Sequence, residues 1–334
     1  VQFGRDWEAD AERRDFTVNA LYCEADGTIV DFVGGLSDIE TRTIRFIGDA
    51  EQRIREDYLR ILRFFRFFAW YGDGRPDSKG LLACARLKDG IKGLSAERVW
   101  TEMRRLLEAP DPSRALLWMR QAGVLSMVLP ESEKWGIDAV APLIATEKAF
   151  KWQPSALLRL AAMIPHTEGH ARSVAERWKL SNADRDRLID WAEAPEVKPE
   201  LTEGAFAKLL YREKAHAVED RVRLALASAR GKAETNPEWL ETVANYARLV
   251  RFAEGWKKPK FPLAGADLIA AGFESGPAMG AALRGLETLE SEGTLTARLG
   301  EMQHRADLYD LIDYAGYSRF DEDVFGFTVS RNQG

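Results

Sequence analysis

The stretch GDAEQRIREDYLRILRFFRFFAW, Gly48 to Trp70, decides the fold. It sets Asp57, Arg60, Arg63 and Arg66 three residues apart. At about 100° per residue, those four side chains share one half of a helix circumference. Tyr58, Ile61, Leu62, Phe65, Phe68 and Ala69 form an apolar stripe on the other half, as in a helix laid against a core. The spacing predicts one continuous helix that carries a carboxylate and three guanidinium groups on a packed wall. An ordinary i,i+3 salt bridge on an amphipathic helix gives the same pattern and is worth only a few tenths of a kcal/mol, so the neighbouring sequence has to decide between them.

Upstream, AERRDFTVNALY (Ala11–Tyr22) crowds Arg13, Arg14, Asp15 and Asn19 around the start of a strand. A turn at Ala25-Asp26-Gly27 follows, then the β-prone run Thr28-Ile29-Val30 and the segment Asp31-Phe32-Val33-Gly34-Gly35. Gly34-Gly35 reads as a flexible joint before the run Arg42 to Gly48 that leads into the helix.

RRDFTVNALY (Arg13–Tyr22), VDFVGGLSDIETRTIRFIGDAEQRIREDYLRILRFFRF (Val30–Phe67) and LSAERVWTEMRRLL (Leu94–Leu107) resemble, in order, the second to fifth motifs of the class II tRNA nucleotidyltransferases. That family includes the bacterial CCA-adding enzymes and the related poly(A) polymerases. The resemblance is dense over residues 1–130. It continues weakly at Pro262 to Leu268 and Gly272 to Gly280. Members of the family begin with a glycine-rich nucleotide loop and a pair of aspartates that bind two magnesium ions. No Asp-x-Asp pair or Gly-Gly or Gly-Ser loop precedes Arg13, and Asp6, Glu8 and Asp10 lack that spacing. The expectation is therefore a fragment, inactive alone, of an enzyme that uses Mg2+, with no catalytic or metal-ligating carboxylate in this chain.

What such an enzyme must do is join a 3′-hydroxyl to the α-phosphate of a nucleoside triphosphate and choose the base. Cytosine and adenine both present an exocyclic amine beside an unprotonated ring nitrogen. A carboxylate accepts from the amine while a guanidinium donates to the nitrogen; guanine and uracil present the opposite pattern. Asp57 and Arg60 have this chemistry, and in the resembled family these two motif positions read the base. Arg63 and Arg66 suit triphosphate oxygens or positioning of the helix. The resemblance further implies that Arg14 contacts the nucleotide and that Asp15, with Asn19, positions the ribose. It makes Arg98 a brace for the base-reading helix, and Gly34 and Gly35 a hinge between cytosine-sized and adenine-sized pockets. Arg13 fits a surface ion pair as well as a direct role.

With 334 residues, 46% of them hydrophobic and 30% charged, the chain is an ordinary globular one, long enough for two or more helical units. No run of about 18 apolar residues occurs, so no membrane span is expected, and no signal-like N-terminus is present. Cys23 and Cys84 read as buried free thiols of a cytoplasmic protein. His166, His170, His216 and His304 include no His-Asp doublet and make no metal site. The net charge of −6 argues mildly against nucleic acid, but local distribution matters more than the sum. Basic clusters stand at Arg53 to Arg66, at Arg98 with Arg104 and Arg105, at Arg221 and Arg223 with Arg230 and Lys232, and at Lys257, Lys258 and Lys260. The last cluster is a candidate for the tRNA backbone. So is the turn containing Gly276 and Gly280 ahead of a helix at 281–290, where free N–H groups suit a phosphate; a tight interhelical turn accounts for it equally.

Only the first fifty residues read as β-containing; beyond Asp49 the chain is helical. Ser95, Ser155 and Ser181 stand at helix starts, and Pro110, Pro112 and Pro165 at breaks. The expected fold is mostly α. A remnant of a nucleotidyltransferase α/β head (1–48) precedes an elongated helical neck (49–109), body (110–256) and tail (257–334). Residues 301–334 carry no functional reading. The expected function of the parent enzyme is template-independent addition of CCA to tRNA 3′ ends from CTP and ATP. Poly(A) polymerase and a non-catalytic RNA-binding protein are the alternatives.

Overall fold

Asp6 starts helix α1 (Trp7–Arg13), its carboxylate accepting the Ala9 amide at 3.1 Å. The computed structural model describes residues 6–258 and 264–270, with Gly276 and Gly280. A short 3-10 turn at Thr17–Asn19 leads into β1 (Leu21–Cys23), which pairs antiparallel with β2 (Ile29–Asp31) in the register Leu21 to Asp31 and Cys23 to Ile29. The turn between them is closed by Asp26, which accepts the Thr28 amide at 2.9 Å. These are the strands among the described residues; the rest of the regular structure is helical.

Asp31 ends β2 and begins helix α2 (Gly35–Glu40). Its carboxylate accepts four successive backbone amides, those of Val33, Gly34, Gly35 and Leu36, at 2.8–3.1 Å. Gly34 has φ +80°, and a Cβ on Gly35 would stand 2.3 Å from the Thr17 carbonyl oxygen. Both glycines are thus required by a left-handed cap and a close backbone approach. In this structure the joint expected at Gly34-Gly35 is a turn pinned by a carboxylate.

The helix predicted over Gly48–Trp70 is two helices. Helix α3 (Ala50–Glu56) ends at Asp57, whose backbone is extended at φ −156°, ψ 107°, and α4 (Leu59–Tyr71) begins beyond it. The Asp57 carboxylate accepts the Leu59 amide at 3.1 Å, so it caps the start of α4. Asp competes with the helical ladder for backbone donors in this way. Asp57 and Arg60 therefore do not share one helix, although Arg60, Arg63 and Arg66 do. The apolar stripe behaves as expected: Ile61, Leu62, Phe65 and Phe68 are buried, and Phe64 joins them. Each such side chain is worth about 1.5–3 kcal/mol on full burial.

Helix α5 (Ser78–Leu87) is capped by Asp77, and α6 (Ala96–Leu107) packs extensively on α4. Ser95 holds the N-cap position of α6 without a side-chain cap bond, whereas Ser155 and Ser181 each cap the helix they precede. Val99, Trp100, Met103, Leu106 and Leu107 bury the inner face of α6 in one continuous core that runs on through the helices to Ala192.

Among the described residues, contacts group 6–199 with Glu219–Val250 in one unit, and Glu200–Val218 with the segment from Arg251 onward in a second. The second unit contains helix Glu203–Arg212, started by Thr202, with Phe206 against Phe252 and Lys258 over the Tyr211 ring at 4.6 Å. Lys260, the 281–290 helix and residues 301–334 lie outside the described residues; Gly276 is described and exposed. No helix among the described residues is long and apolar enough to cross a membrane. Cys84 is buried, but Cys23 is exposed, because β1 has the open hairpin on one side and no core over its end.

Candidate functional site

The polar residues singled out by sequence gather where α1, the 3-10 turn and the first two turns of α4 meet. Asp15 is the most enclosed of them, 6% exposed. Arg63 donates from Nε to Asp15 at 2.5 Å, and the Asn19 amide donates to its other oxygen at 2.8 Å. Burial pushes the Asp15 carboxyl up, but these donors outweigh it and hold its pKa below the usual carboxylate range. The same pair holds Arg63 charged, its pKa raised by Asp15 against the effect of burial.

Arg66 lies one turn further along α4 and donates to Glu102 of α6 at 2.5 Å. Glu102 also stands 3.8 Å from Arg63, and both guanidinium groups lie over the Phe67 ring, at 4.5 Å for Arg66 and 5.5 Å for Arg63. Arg66 has 12% of its side chain exposed and is committed to fixing α4 against α6; Arg63 has 29% exposed and only one close partner. Glu102 was not recognised in the sequence. It is 36 residues from Arg66, and only the packing of α4 on α6 pairs them.

Asp57 and Arg60 hold separate partners. Arg98 reaches Asp57 from α6 at 2.6 Å, while Asp57 keeps its bond to the Leu59 amide. Arg60 pairs with Glu56, donates to the Arg53 carbonyl at 2.8 Å, and approaches the Arg13 carbonyl at 3.5 Å. Arg53 in turn donates to the Ile47 and Glu12 carbonyls. The arginines of this segment thereby tie α1, α3 and α4 together, and they place Arg60 beside the Arg13 carbonyl. Glu56, the acceptor that occupies Arg60, is a second residue that was not singled out in the sequence, although it stands four residues before Arg60. The carboxylate immediately before Asp57 was its available signal.

Arg14 donates to Asp10 at 3.1 Å and to the Asn19 carbonyl at 2.8 Å, and it stands over the Tyr22 ring at 5.4 Å. Tyr22 donates to Asp10 at 2.6 Å and stacks on Trp7. The Tyr22 and Arg14 hydrogen bonds lower the Asp10 pKa. Arg13 forms an exposed pair with Asp10. Behind this cluster a cleft of about 520 Å³ opens between α2 and the end of α4, lined by Asn19, Asp38, Ile39, Arg42, Phe67, Trp70 and Tyr71. Asp38, buried, accepts from Thr17 and from Arg45 at 2.9 Å, which fixes α2 to the 3-10 turn.

The carboxylates of the cluster, Asp10, Asp15 and Glu102, are each held by arginine, asparagine or tyrosine donors. Among the described residues no three His, Cys, Asp or Glu side chains gather as a metal site. A divalent metal is usual in the family that the sequence resembles, but these donor sets do not fit one.

Comparison with known proteins matches residues 1–45 to the poly A polymerase head domain and residues 77–135 to a probable RNA- and SrmB-binding site of polymerase A. The chain is 31% identical over 322 residues to the CCA-adding enzyme of Limosilactobacillus fermentum, covering 95% of this chain and 73% of that protein. It is 29% identical over 292 residues to the mitochondrial CCA tRNA nucleotidyltransferase 1 of Mus musculus, covering 86% of this chain but only 63% of the relative's length. The fold resembles the Bacillus stearothermophilus CCA-adding enzyme in complex with CTP, with a TM-score of 0.64 at 25% identity, covering 96% of this chain and 77% of that one. A Thermotoga maritima CCA-adding enzyme complexed with tRNA shares the fold, with a TM-score of 0.54 at 18% identity over 92% of this chain and 74% of the other.

Proposed function

Because this chain belongs to the class II tRNA nucleotidyltransferase and poly(A) polymerase family, we propose that it supplies the nucleotide-reading part of an enzyme that adds CCA to tRNA 3′ ends from CTP and ATP. The observation that supports this is that Arg60 and Arg63 of α4 reach the Arg13–Asn19 segment, at the Arg13 carbonyl and Asp15, while Arg98 holds Asp57 at the start of the same helix and Arg14 is tied to the Asn19 carbonyl. A reader of bases needs groups that are fixed before the ligand arrives, and the ion pairs fix them.

In this reading the Asp57 carboxylate accepts from the exocyclic amine of cytosine or adenine, and Arg60 donates to the adjacent ring nitrogen. Arg98 positions Asp57. Asp15 and Asn19 hold the ribose, and Arg14 and Arg63 meet the phosphates, with Arg63 the less committed of the two α4 arginines that stand at Glu102. Arg66 acts on the helix rather than on the ligand, since Glu102 takes its donor. Any change of pocket size at Gly34 and Gly35 has to loosen the Asp31 cap. Magnesium is the metal we assign to the enzyme, with ligands other than the described residues, and its place is the cytoplasm. The divisions 1–48, 49–109, 110–256 and 257–334 serve as head, neck, body and tail. Lys257, Lys258, Lys260, Gly276 and Gly280 are the tail's contribution to tRNA binding.

The test is equilibrium binding of each nucleoside triphosphate to the protein by calorimetry. CTP and ATP are expected to bind more tightly than UTP and GTP by about 1–3 kcal/mol. Equal affinity for all four overturns the reading. Preference for ATP alone, with CTP no better than UTP, converts it to poly(A) addition.

A further inference from the structure

The first unit holds another cavity, of about 300 Å³, that shares no lining residue with the base-reading cluster. Ile164, Val197 and Leu224 supply apolar wall, and Trp191, His166 and Arg221 supply the chemistry. Two buried nitrogens without a hydrogen-bond partner belong to residues of this one lining: Arg221 Nε and Trp191 Nε1. Glu196 and Ser228 also stand in the lining, and two further polar groups are engaged. His166 Nε2 meets the Trp191 carbonyl at 2.9 Å, which makes that nitrogen the donor, and the Tyr246 hydroxyl donates to the Val197 carbonyl at 3.1 Å.

Arg221 forms no ion pair among the described residues. Glu196 acts on it electrostatically but stands exposed and outside ion-pairing distance. Its neighbour Arg223 is differently placed, over the Trp152 ring at 5.1 Å. Burial lowers the Arg221 pKa, so water is partly withdrawn from a cation that has gained no counter-ion. A guanidinium in that state is costly, and buried donors left unpaired are rare enough to need an explanation. Both orphan groups are donors only. Their complement is an acceptor without protons, and the planar fork of arginine suits a carboxylate. A bare phosphate would need more donors than the apolar wall offers.

We propose that this cavity binds a small carboxylate with an apolar body, its oxygens on Arg221 with the Trp191 N–H as second donor, and its apolar part against Ile164, Val197 and Leu224. The site is independent of nucleotide reading, since none of these residues belongs to that cluster.

Benzoate is the probe, with benzamide as its uncharged isostere and inorganic phosphate as an anion without an apolar body. Calorimetry and thermal melting of the whole protein are expected to show saturable benzoate binding at millimolar concentration, with little response to benzamide or phosphate. Arg221→Met abolishes it. Arg221→Lys, which keeps the charge and the fold but removes the Nε donor, weakens it by about tenfold. Glu196→Gln leaves benzoate binding intact or tightens it, and CTP binding is unchanged in all three variants. The proposal is overturned by absence of benzoate binding, by equal binding to Arg221→Lys and the parent protein, or by phosphate binding as well as benzoate. It also fails if Glu196→Gln destabilises the protein as much as Arg221→Met does, because Glu196 is then the partner of Arg221.

Discussion

Arg159 and Arg63 are both helix-borne arginines paired with a buried acid, and they are built for different work. Arg159 is 1% exposed. It makes three hydrogen bonds to Glu147, from Nε and one Nη, at 2.6–3.2 Å, and donates from its other Nη to the carbonyls of Leu107 and Ala109. The Leu107 carbonyl ends α6 and that of Ala109 lies just beyond it, so one guanidinium closes a helix C-terminus and joins three segments with all three of its nitrogens donating. Arg63 has a single short bond to Asp15 and remains partly open to solvent. Full satisfaction marks a structural arginine. Partial satisfaction beside a cleft marks one with donors left for a ligand.

The sharpest way to break this contrast is to remove both arginines in turn. Arg159→Met strands Glu147 in the core and is expected to cost about 3–5 kcal/mol of stability, read by denaturant unfolding. The double variant Arg159→Met with Glu147→Leu recovers most of that loss. Arg63→Gln costs less stability and weakens CTP and ATP binding; a reversed ranking of the two single variants in unfolding would erase the distinction.

Asp57→Ala comes next in size. It removes an acceptor for the base and the cap of α4, so the CTP to UTP affinity ratio is expected to fall by about 1–3 kcal/mol, and stability by about 1 kcal/mol. A stability loss with an unchanged ratio would make Asp57 a cap alone.

Asp15 gives a pH signature. Its folded pKa lies below the ordinary value of about 3.9, so its contribution to stability is complete above that value and is lost as pH falls through the lowered one. Asp15→Asn should flatten the fall in stability below about pH 4 relative to the parent protein. Superimposable acid unfolding curves would mean that Arg63 holds no charge-dependent bond there.

The smallest effect is expected in the tail. Neutralising Lys257, Lys258 and Lys260 together should lower tRNA affinity and make its salt dependence shallower by about 2–3 in log–log slope. An unaltered slope removes those lysines from the phosphate contacts.

Helices, their polar starts and the hairpin were legible because each rests on local chemistry. Ser155 and Ser181 cap where a hydroxyl precedes an apolar run, and the buried face of α4 follows its 3.6-residue period. The break at Asp57 was not legible from periodicity. A helix that stops and restarts after two residues keeps its apolar side chains on nearly the same face, and only the capping preference of Asp marks the interruption. The partners of the arginines were also hidden. Glu102, Asp15 and Arg98 meet α4 through tertiary packing across 36 to 48 residues, and spacing along one helix says nothing about them. The positive φ of Gly34 and the close approach of Gly35 to the Thr17 carbonyl were hidden too, because both depend on the folded backbone.

The two thiols differ enough to serve as a matched pair of reporters. Cys23 is exposed on the hairpin beside Tyr22, whereas Cys84 is buried on α5 and burial raises its pKa. A maleimide should therefore label the folded protein once, at Cys23, and twice after denaturation, as counted by mass spectrometry. A dye can thus be attached next to the Arg14–Tyr22 contact without mutagenesis, and the rate at which the second thiol becomes labelled clocks the opening of the core in the same sample.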